Sequence, residues 1–317
     1  MDAPLISIAL ATCNGGAYLR EQLDSLYAQT YRPIEVVVCD DHSDDDTAAI
    51  LDDYSRRCGL VYSVNQYRLG MIRNFEKVLG RCTGEYIALA DQDDIWMPHK
   101  LERLSRAIGD RSLVYSDAEL IDERDAMIAP SLFAVSKART DRTASFEYLV
   151  CNACVTGCTA LFRADLLRRA LPIPQCETYH DWWLSVVASR ERGVVCVPEP
   201  LVRYRQHQDN YAGAYFKQPL LLRGAAHFTA RSRAARREKN MFLCRRTKEY
   251  IDHHQRLGLT DGDINFLVDI NRYAHSVLDM RLHLWTLLLG LRHRNVIFPN
   301  DPLLLQLAKA FGRMFKM

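Results

Sequence analysis

Gly84-Glu-Tyr-Ile-Ala-Leu-Ala-Asp-Gln-Asp-Asp-Ile-Trp-Met-Pro98 decides how the rest of the chain reads. Tyr86 to Ala90 is an apolar run of the length of one buried strand. Asp91, Asp93 and Asp94 follow at once. Beyond Trp96 and Pro98, Leu101, Leu104 and Ile108 recur at helical spacing, and a proline suits a helix's first turn. The acids therefore sit where a strand ends and the chain turns. Carboxylates crowded there repel one another unless a cation or hydrogen bonds compensate. Hard oxygen ligands on a loop suit Mg(II) or Mn(II) held together with substrate phosphates. A solvated turn capped by aspartate is the ordinary alternative.

Upstream, 5–11 reads as a nearly continuous apolar strand of the kind found in a sheet covered on both faces. Thr12 to Gly16 turns into a helical stripe of Leu19, Leu23, Leu26 and Tyr27. A second strand, 34–39, ends in Asp40-Asp-His-Ser-Asp-Asp-Asp46, where Ser43 and Asp46 have the spacing of a helix-capping pair. Helical periodicity resumes over 48–54, and 60–64 is a third strand. A loop over 65–73 holds Gly70, and 74–79 is a short helix. This alternation predicts an α/β fold with a mostly parallel sheet flanked by helices. Ligands of such sheets bind outside the carboxyl ends of the strands, so Thr12–Gly16, Asp40–Asp46 and Asp91–Asp94 should converge. A dinucleotide-binding dehydrogenase needs Gly-x-Gly-x-x-Gly in the first turn. Gly15 and Gly16 stand there without the third glycine, and no P-loop occurs. A metal held by carboxylates is the other way to neutralise a diphosphate.

Downstream, 113–116 is a strand ending at Asp117, Pro130–Thr143 a long loop suited to acceptor contact, and 156–162 a strand with a small-residue start. Thr178-Tyr-His-Asp-Trp-Trp-Leu184 is the second stretch that carries chemistry. An acid between aromatic residues loses hydration and gains basicity, and sugars stack on aromatic faces. That marks Asp181, with Trp182 and Trp183 as the acceptor platform. A plain N-cap for the helix that follows is the competing role of Asp181. Residues 194–197 form a further strand.

With 317 residues, 48% hydrophobic and 25% charged, the composition is that of a globular protein of about two domains. A net charge of +2 gives no bulk attraction to nucleic acid. The first residues lack a signal-peptide pattern and no stretch has the length of a membrane span, so a cytoplasmic chain with reduced thiols is expected. Cys151, Cys154 and Cys158 lack a second Cys-x-x-Cys pair and read as small core residues. From Pro219 the character changes: arginines and lysines crowd 223–248, then apolar positions recur at helical spacing. We expect a catalytic domain over 1–217 and a helical extension over 218–317. The extension either packs by one face on its own domain or lies on the inner face of an anionic membrane.

Taken together, Ala11-Thr-Cys-Asn-Gly15, Asp40-Asp-x-Ser-x-Asp, Gly70-x-x-Arg-Asn-Phe75 and Ala90-Asp-Gln-Asp-Asp-Ile-Trp96 resemble family 2 glycosyltransferases of the GT-A fold. The last motif is similar to the rhamnosyltransferase-like bacterial branch. The resemblance covers residues 5 to about 215. It implies a nucleotide-sugar donor, a divalent metal, Mg(II) or Mn(II), and inversion at the anomeric carbon. Carried over by position, Asp41 contacts the base and Ala11 and Cys13 line its pocket. Asn14, Arg73 and Gln92 join the donor site, Asp91 lies near the ribose, and Asp93 binds the metal. Asp181 becomes the catalytic base, with His180 where the family usually has glutamate. Leu201 to Tyr211 resembles the segment that closes over the diphosphate, giving Arg205 to phosphate and His207 to the metal. The implied donor is dTDP-rhamnose and the implied acceptor a lipid-linked or lipopolysaccharide glycan. A nucleotidyltransferase on a similar sheet, releasing pyrophosphate, and a non-catalytic binding module are the alternatives.

Overall fold

The computed structural model describes residues 3–136, 145–207, 230–278, 284–297 and 306. By contacts the chain forms two units. One comprises residues 1–144, 153–173 and 177–207; the other comprises 145–152, 174–176 and 208–317.

The first unit is built on one sheet. Its first strands are β1 (Ile6–Thr12), β2 (Ile34–Asp40), β3 (Val61–Val64) and β4 (Tyr86–Ala90). They are separated by α1 (Leu19–Tyr27), α2 (Thr47–Cys58) and α3 (Met71–Leu79). Then come β5 (Ile95–Trp96), α4 (Lys100–Ala107), β6 (Leu113–Asp122), β7 (Met127–Ala129) and α5 (Leu132–Ser136). After α6 (Phe146–Cys151), which belongs to the second unit, follow β8 (Ala160–Arg163), α7 (Leu167–Ala170), α8 (His180–Ser189) and β9 (Val194–Gln206).

Among the described residues the strand order is β3-β2-β1-β4-β8-β6-β9-β5, with β7 on β6. The β3-β2-β1-β4 half is parallel throughout, as the strand–helix alternation requires. Antiparallel pairs enter with β8, which lies between β4 and β6, and with β5 on β9. The sheet is therefore mixed. β1 and β4 are parallel neighbours at the point where strand order reverses, the usual place for a ligand crevice. Ile6, Ile8, Leu10, Val38, Ile87 and Leu89 are buried, which accounts for the unbroken apolar runs.

Several elements differ from the sequence reading. The expected strand over 156–162 begins as a 3-10 turn, Gly157–Thr159, and becomes strand only at Ala160. β9 runs on to Gln206, so the expected closing segment is strand up to that point, and residues 208–211 lie outside the described ones. Part of the 130–143 loop is α5, held by Asp117, whose carboxylate accepts from Ser131 Oγ and the Phe133 amide. Residues 137–143 of that loop lie outside the described ones. The Ser43–Asp46 capping pair does not form. Ser43 donates to Asp40 instead, and Asp45 accepts from the Thr47 amide at the helix start.

The second unit contains α6, α9 (Ala230–Asp252), α10 (His254–Leu257), α11 (Asp261–Leu278), α12 (Leu284–Arg292) and α13 (Arg294–Ile297). Gly258, left-handed at φ 60°, ends α10, a conformation glycine adopts without cost. Arg246, one of the arginines of the basic stretch, is fully buried. It donates to the Val150 carbonyl at 3.1 Å and lies against the Phe242 and Tyr250 rings. Among the described residues no helix is long and apolar enough to cross a membrane.

Candidate active site

Register brings the strand-end loops together. Thr12 pairs with Asp40 and Leu10 with Ala90, so the turns after β1, β2 and β4 start side by side. Thr12 Oγ1 donates to Asp40 at 2.8 Å. Gln92 acts as a clasp: its Oε1 accepts from the Cys13 amide at 2.8 Å and its Nε2 donates to the Cys13 carbonyl at 3.1 Å. A Cβ on Gly15 would come within 2.6 Å of that Oε1, so a larger residue here would displace the clasp. Asn14, at φ 53°, donates from its amide to Ser43 Oγ and accepts from the Asp44 amide. Asparagine tolerates this left-handed backbone better than most residues. Ala11 and Cys13 remain half-buried at this edge, and burial pushes the Cys13 thiol up.

Asp41 is only 4% exposed. Its carboxylate accepts from Asn65 Nδ2 and from the Leu69 and Gly70 amides, at 2.7–2.8 Å. It thus shapes the loop that holds Gly70, at φ 82°. Asn74, from the same motif as Arg73, is buried and ties the loop to the sheet through Asn65 Nδ2 and the Cys39 carbonyl. Arg73 itself is held by Glu76 and the Ile173 carbonyl.

Asp93 and His207 meet: Nε2 of the imidazole lies 2.8 Å from Oδ2 of the carboxylate. They lie 114 residues apart in sequence. Arg205 does not present its guanidinium for phosphate. It is 1% exposed, and its guanidinium goes to Glu21 (2.6 Å), Asp125, and the carbonyls of Asp93 (2.7 Å) and Asp122. Its amide donates to Asp94 Oδ1 at 3.0 Å, and it stands 4.6 Å over the Tyr18 ring. The expected phosphate ligand is thus a brace for the acidic loop. A strand residue two positions before His207 points inward, where protein partners must satisfy its five donors.

Asp94 is wholly buried and its Oδ2 has no hydrogen-bond partner. Burial, then the charge of Asp93, push its carboxyl up to about 7. Asp91 is raised as well, by burial and then by Asp94, Asp93 and Asp181. Beside them lies Lys100, also wholly buried, whose Nζ donates to the Cys158 carbonyl at 2.5 Å and sits 3.0 Å over the Trp96 ring. Burial pushes Lys100 down, against Cys158, Asp94 and Asp91, which favour its charged form. Ligating atoms of Asp91, Asp94 and Cys158 lie within 4.8 Å of one another. Sequence reading missed Lys100, and it took Cys158, which is fully buried, only as a small core residue. A lysine opening an amphipathic helix looks solvent-facing, and nothing in its spacing announces burial.

Asp181 stands at the start of α8. Its Oδ2 accepts from the Gly157 amide and its Oδ1 from the Trp182 amide, both at 2.7 Å. Burial pushes its carboxyl up to about 6, although these two hydrogen bonds pull the other way. The neighbouring His180 is 4% exposed, stacks on Phe75, and neither ring nitrogen has a hydrogen-bond partner. Burial drives it down to about 3, so the imidazole is neutral at physiological pH. Trp182 is half-buried. Trp183 is 0% exposed and donates from Nε1 to the Ala170 carbonyl at 2.7 Å, so the second tryptophan of the expected acceptor platform is a core residue. Adjacent residues on a helix point about 100° apart, and only one of the pair can face a crevice.

The donor set fits a hard divalent cation. Asp93 and His207 supply an oxygen and an imidazole nitrogen within reach of one ion, and an orphaned carboxylate oxygen of Asp94 belongs to the same turn.

A family model described as Glycosyl transferase family 2 matches residues 7–169. An uncharacterized glycosyltransferase of Rickettsia typhi is 30% identical over 216 residues, 65% of this chain and 65% of its own length. The chain thus spans about two thirds of the first curated relatives it matches. The Escherichia coli protein WfgD, named a UDP-Glc:α-D-GlcNAc-diphosphoundecaprenol β-1,3-glucosyltransferase, is 28% identical over 69% of this chain and 83% of its own. Among solved structures, S. aureus TarS 1–349 in complex with UDP-GlcNAc shares the fold at a TM-score of 0.60 and 14% identity, covering 98% of this chain and 88% of that one. The mannosyltransferase PcManGT of Pyrobaculum calidifontis, with GDP-Man and Mn2+, does so at 0.52 and 16%, covering 98% and 86%. The fold is that of these GT-A enzymes, the family match spans just over half of the residues and includes the turns after β1, β2 and β4, and the chain belongs to glycosyl transferase family 2.

Proposed function

We propose that the chain transfers a hexosyl group from a nucleoside-diphosphate sugar to a glycan hydroxyl, with inversion and with a divalent metal. The observation that carries this reading is geometric. The Cys158 thiol lies within 4.8 Å of the carboxylates of Asp91 and Asp94, and the amide of the preceding Gly157 donates to Asp181 at 2.7 Å, so acids from two separate stretches of sequence gather at one turn. A base and a cation-binding acid pair on one crevice are what an inverting transfer needs.

In this reading Asp181 accepts the proton of an acceptor hydroxyl as that oxygen bonds to the anomeric carbon. The bond from the anomeric carbon to the phosphate oxygen breaks, and its electron pair leaves with the nucleoside diphosphate. A pKa of about 6 keeps Asp181 ionised at neutral pH yet more basic than an ordinary carboxylate. Asp93 and His207 would hold the metal, which when bound supplies charge stabilisation for the departing diphosphate. Gln92, Asn14 and Asp41 set the backbone of Ala11 to Gly16 and of the Gly70 loop, against which the nucleoside lies, with Asp91 near the ribose. Arg73 flanks this region, and Trp182 offers its face to the acceptor. The resemblance of Ala90–Trp96 to the rhamnosyltransferase-like branch makes dTDP-rhamnose the first donor to test, and WfgD's named substrate supports a lipid-linked acceptor.

The exposed Arg237, Arg245 and Lys248 share one side of α9 and give the extension a basic face suited to an anionic membrane surface. Flotation with anionic liposomes at low salt tests this. Protein that stays at the bottom assigns those helices to structure alone.

The deciding experiment is a thermal-shift panel with Mn(II) and dTDP-rhamnose, UDP-glucose, UDP-GlcNAc and GDP-mannose. A specific donor at ~100-fold its dissociation constant should add roughly 2.7 kcal/mol. Turnover should then release nucleoside diphosphate. Release of pyrophosphate, or binding without any turnover, would replace this reading with one of its rivals.

A further inference from the structure

The phenol ring of Tyr18 and the imidazole of His207 pack together, with centroids 5.1 Å apart and planes inclined by 34°. The Arg205 guanidinium stands 4.6 Å from the centroid of the same tyrosine ring. We propose that Tyr18 is a positioning residue: held by Arg205, it sets the plane of the His207 imidazole so that Nε2 faces the Asp93 carboxylate and a divalent cation finds both ligands in place. The inference rests on the metal reading above and deepens it.

The first support is where Tyr18 sits. It is the N-cap of α1. Serine, threonine, aspartate and asparagine are favoured there, because their side chains accept from the first free amides of a helix. Tyr18 makes no such hydrogen bond. The helix forgoes a side-chain cap at this position, and the ring goes to the end of β9 instead.

The second support is how the contact is held. Arg205 and His207 lie two residues apart where β9 ends, and residues so spaced along an extended chain project to one side. One ring can therefore meet both. Glu21, three residues after Tyr18 and on the same face of α1, takes the Arg205 guanidinium at 2.6 Å. Arg205 also donates to the Asp93 carbonyl at 2.7 Å, and a guanidinium over a tyrosine ring is attracted to its face. Tyr18 is thus tied to the same turn whose carboxylate His207 meets.

The third support is chemical. His207 Nε2 lies 2.8 Å from Asp93 Oδ2. An ion held by both groups replaces that contact, which then no longer orients the imidazole. A contact between rings does not use Nε2 and survives the exchange. Histidines that bind metals are ordinarily oriented by a group outside the ligand set, and losing such a group costs about 10–100-fold in metal affinity. Tyr18 has this place here and touches no reacting atom.

The test is the Mn(II) affinity of the full chain, titrated without donor or acceptor and set beside melting temperatures in chelator. Tyr18→Ser removes the ring and supplies a favoured cap. It should melt at the wild-type temperature or above, yet bind Mn(II) at least about tenfold more weakly. Tyr18→Phe keeps the ring and should bind as wild type does. The spin-echo spectrum of bound Mn(II) supplies a signature of histidine ligation: nitrogen modulation should be present in wild type and Tyr18→Phe and reduced in Tyr18→Ser. Should Tyr18→Ser fail to fold, Tyr18→Leu, which fills the space without a ring face, takes its place in each comparison. Unchanged affinity without the ring overturns the proposal, and so does weakened affinity with the nitrogen signal at full strength. Wild-type protein that binds no Mn(II) overturns the metal reading and this inference with it, whereas wild-type binding that is insensitive to Tyr18 overturns this inference alone.

Discussion

The imidazole of His180 lies flat on the phenyl ring of Phe75, with centroids 3.5 Å apart and planes 18° apart. Phe75 closes the Gly70–Phe75 motif and His180 precedes the proposed base, so two separate motifs meet in one stack. With neither nitrogen hydrogen-bonded, the histidine serves as a neutral aromatic surface. His180→Phe is therefore expected to fold with wild-type stability or slightly better, because an unsatisfied buried polar group is removed. His180→Glu would set a third carboxylate beside Asp181 and Glu177. Like charge disfavours ionisation, so the acidic limb of the pH–rate profile should move to higher pH. Melting curves and rate profiles of both variants check this. An unmoved limb in His180→Glu would place the histidine too far from the base to matter.

Asp181→Asn should bind donor and metal about as well as wild type and transfer sugar at least ~100-fold more slowly. Donor affinity by calorimetry, set beside the rate of nucleoside-diphosphate release, separates the two effects. Lost donor affinity with an intact rate at saturation would move Asp181 into the donor pocket.

The same residue leaves a mark on stability. Its folded-state pKa, about 6, lies above the ordinary 3.8, so the native state holds a proton that the unfolded chain gives up between these values. Stability should therefore fall as pH rises from about 4 to about 6, by up to about 3 kcal/mol, and then level off. In Asp181→Asn this slope should flatten. Denaturant titrations across that range provide the comparison.

Asp93→Asn should abolish metal-dependent turnover while the chain stays folded, since one charged hard ligand is lost from a site with few. Near-normal turnover of this variant in chelator-treated buffer would remove the metal from the mechanism.

Arg205→Lys keeps the charge but cannot serve Glu21, Asp125 and the Asp93 carbonyl together. A stability loss of about 2 kcal/mol is expected, with nucleoside-diphosphate affinity at saturating metal changed by less than about threefold. The opposite pattern, intact stability and weak diphosphate binding, would return Arg205 to the phosphate.

The two tryptophans part company. Trp183→Ala should cost about 3–5 kcal/mol, as truncation of a large core aromatic does. Trp182→Ala should leave the melting temperature nearly unchanged and raise the KM for acceptor. A Trp182→Ala protein with wild-type acceptor kinetics would leave the platform without a residue.

Positions that announce themselves by period or by end-of-strand polarity were legible. Ala90-Asp-Gln-Asp-Asp gave the strand, the turn and the acids, and the unbroken apolar runs at 5–11 and 34–39 gave the parallel half of the sheet. The pairing of Asp93 with His207 could be anticipated only through the family's motif order. What could not be read is which way a side chain turns once its element is placed. Asp41 and Arg205 carry charges that suit a ligand, but both are consumed by long-range partners. Trp182 and Trp183 are alike in sequence and differ only by the direction of one helical step. Lys100 is the extreme case: its burial depends on Trp96 of β5 and on the Cys158 carbonyl of the Gly157–Thr159 turn, which arrives from far along the chain.

The helix Phe146–Cys151 has a practical consequence for anyone who would cut this chain in two. It comes well before residue 217 but packs with what comes after. Phe146 meets Phe266 edge-on, the Val150 carbonyl takes Arg246, and Asn152 donates to the Val296 carbonyl. A polypeptide halted at 217 would retain Phe146, Tyr148, Leu149 and Val150 and lose the partners that bury them. Such a fragment should come out of expression sticky and self-associating. Supplying residues 218–317 as a separate polypeptide should restore solubility, as expected where sequence halves are folding partners and not modules joined end to end.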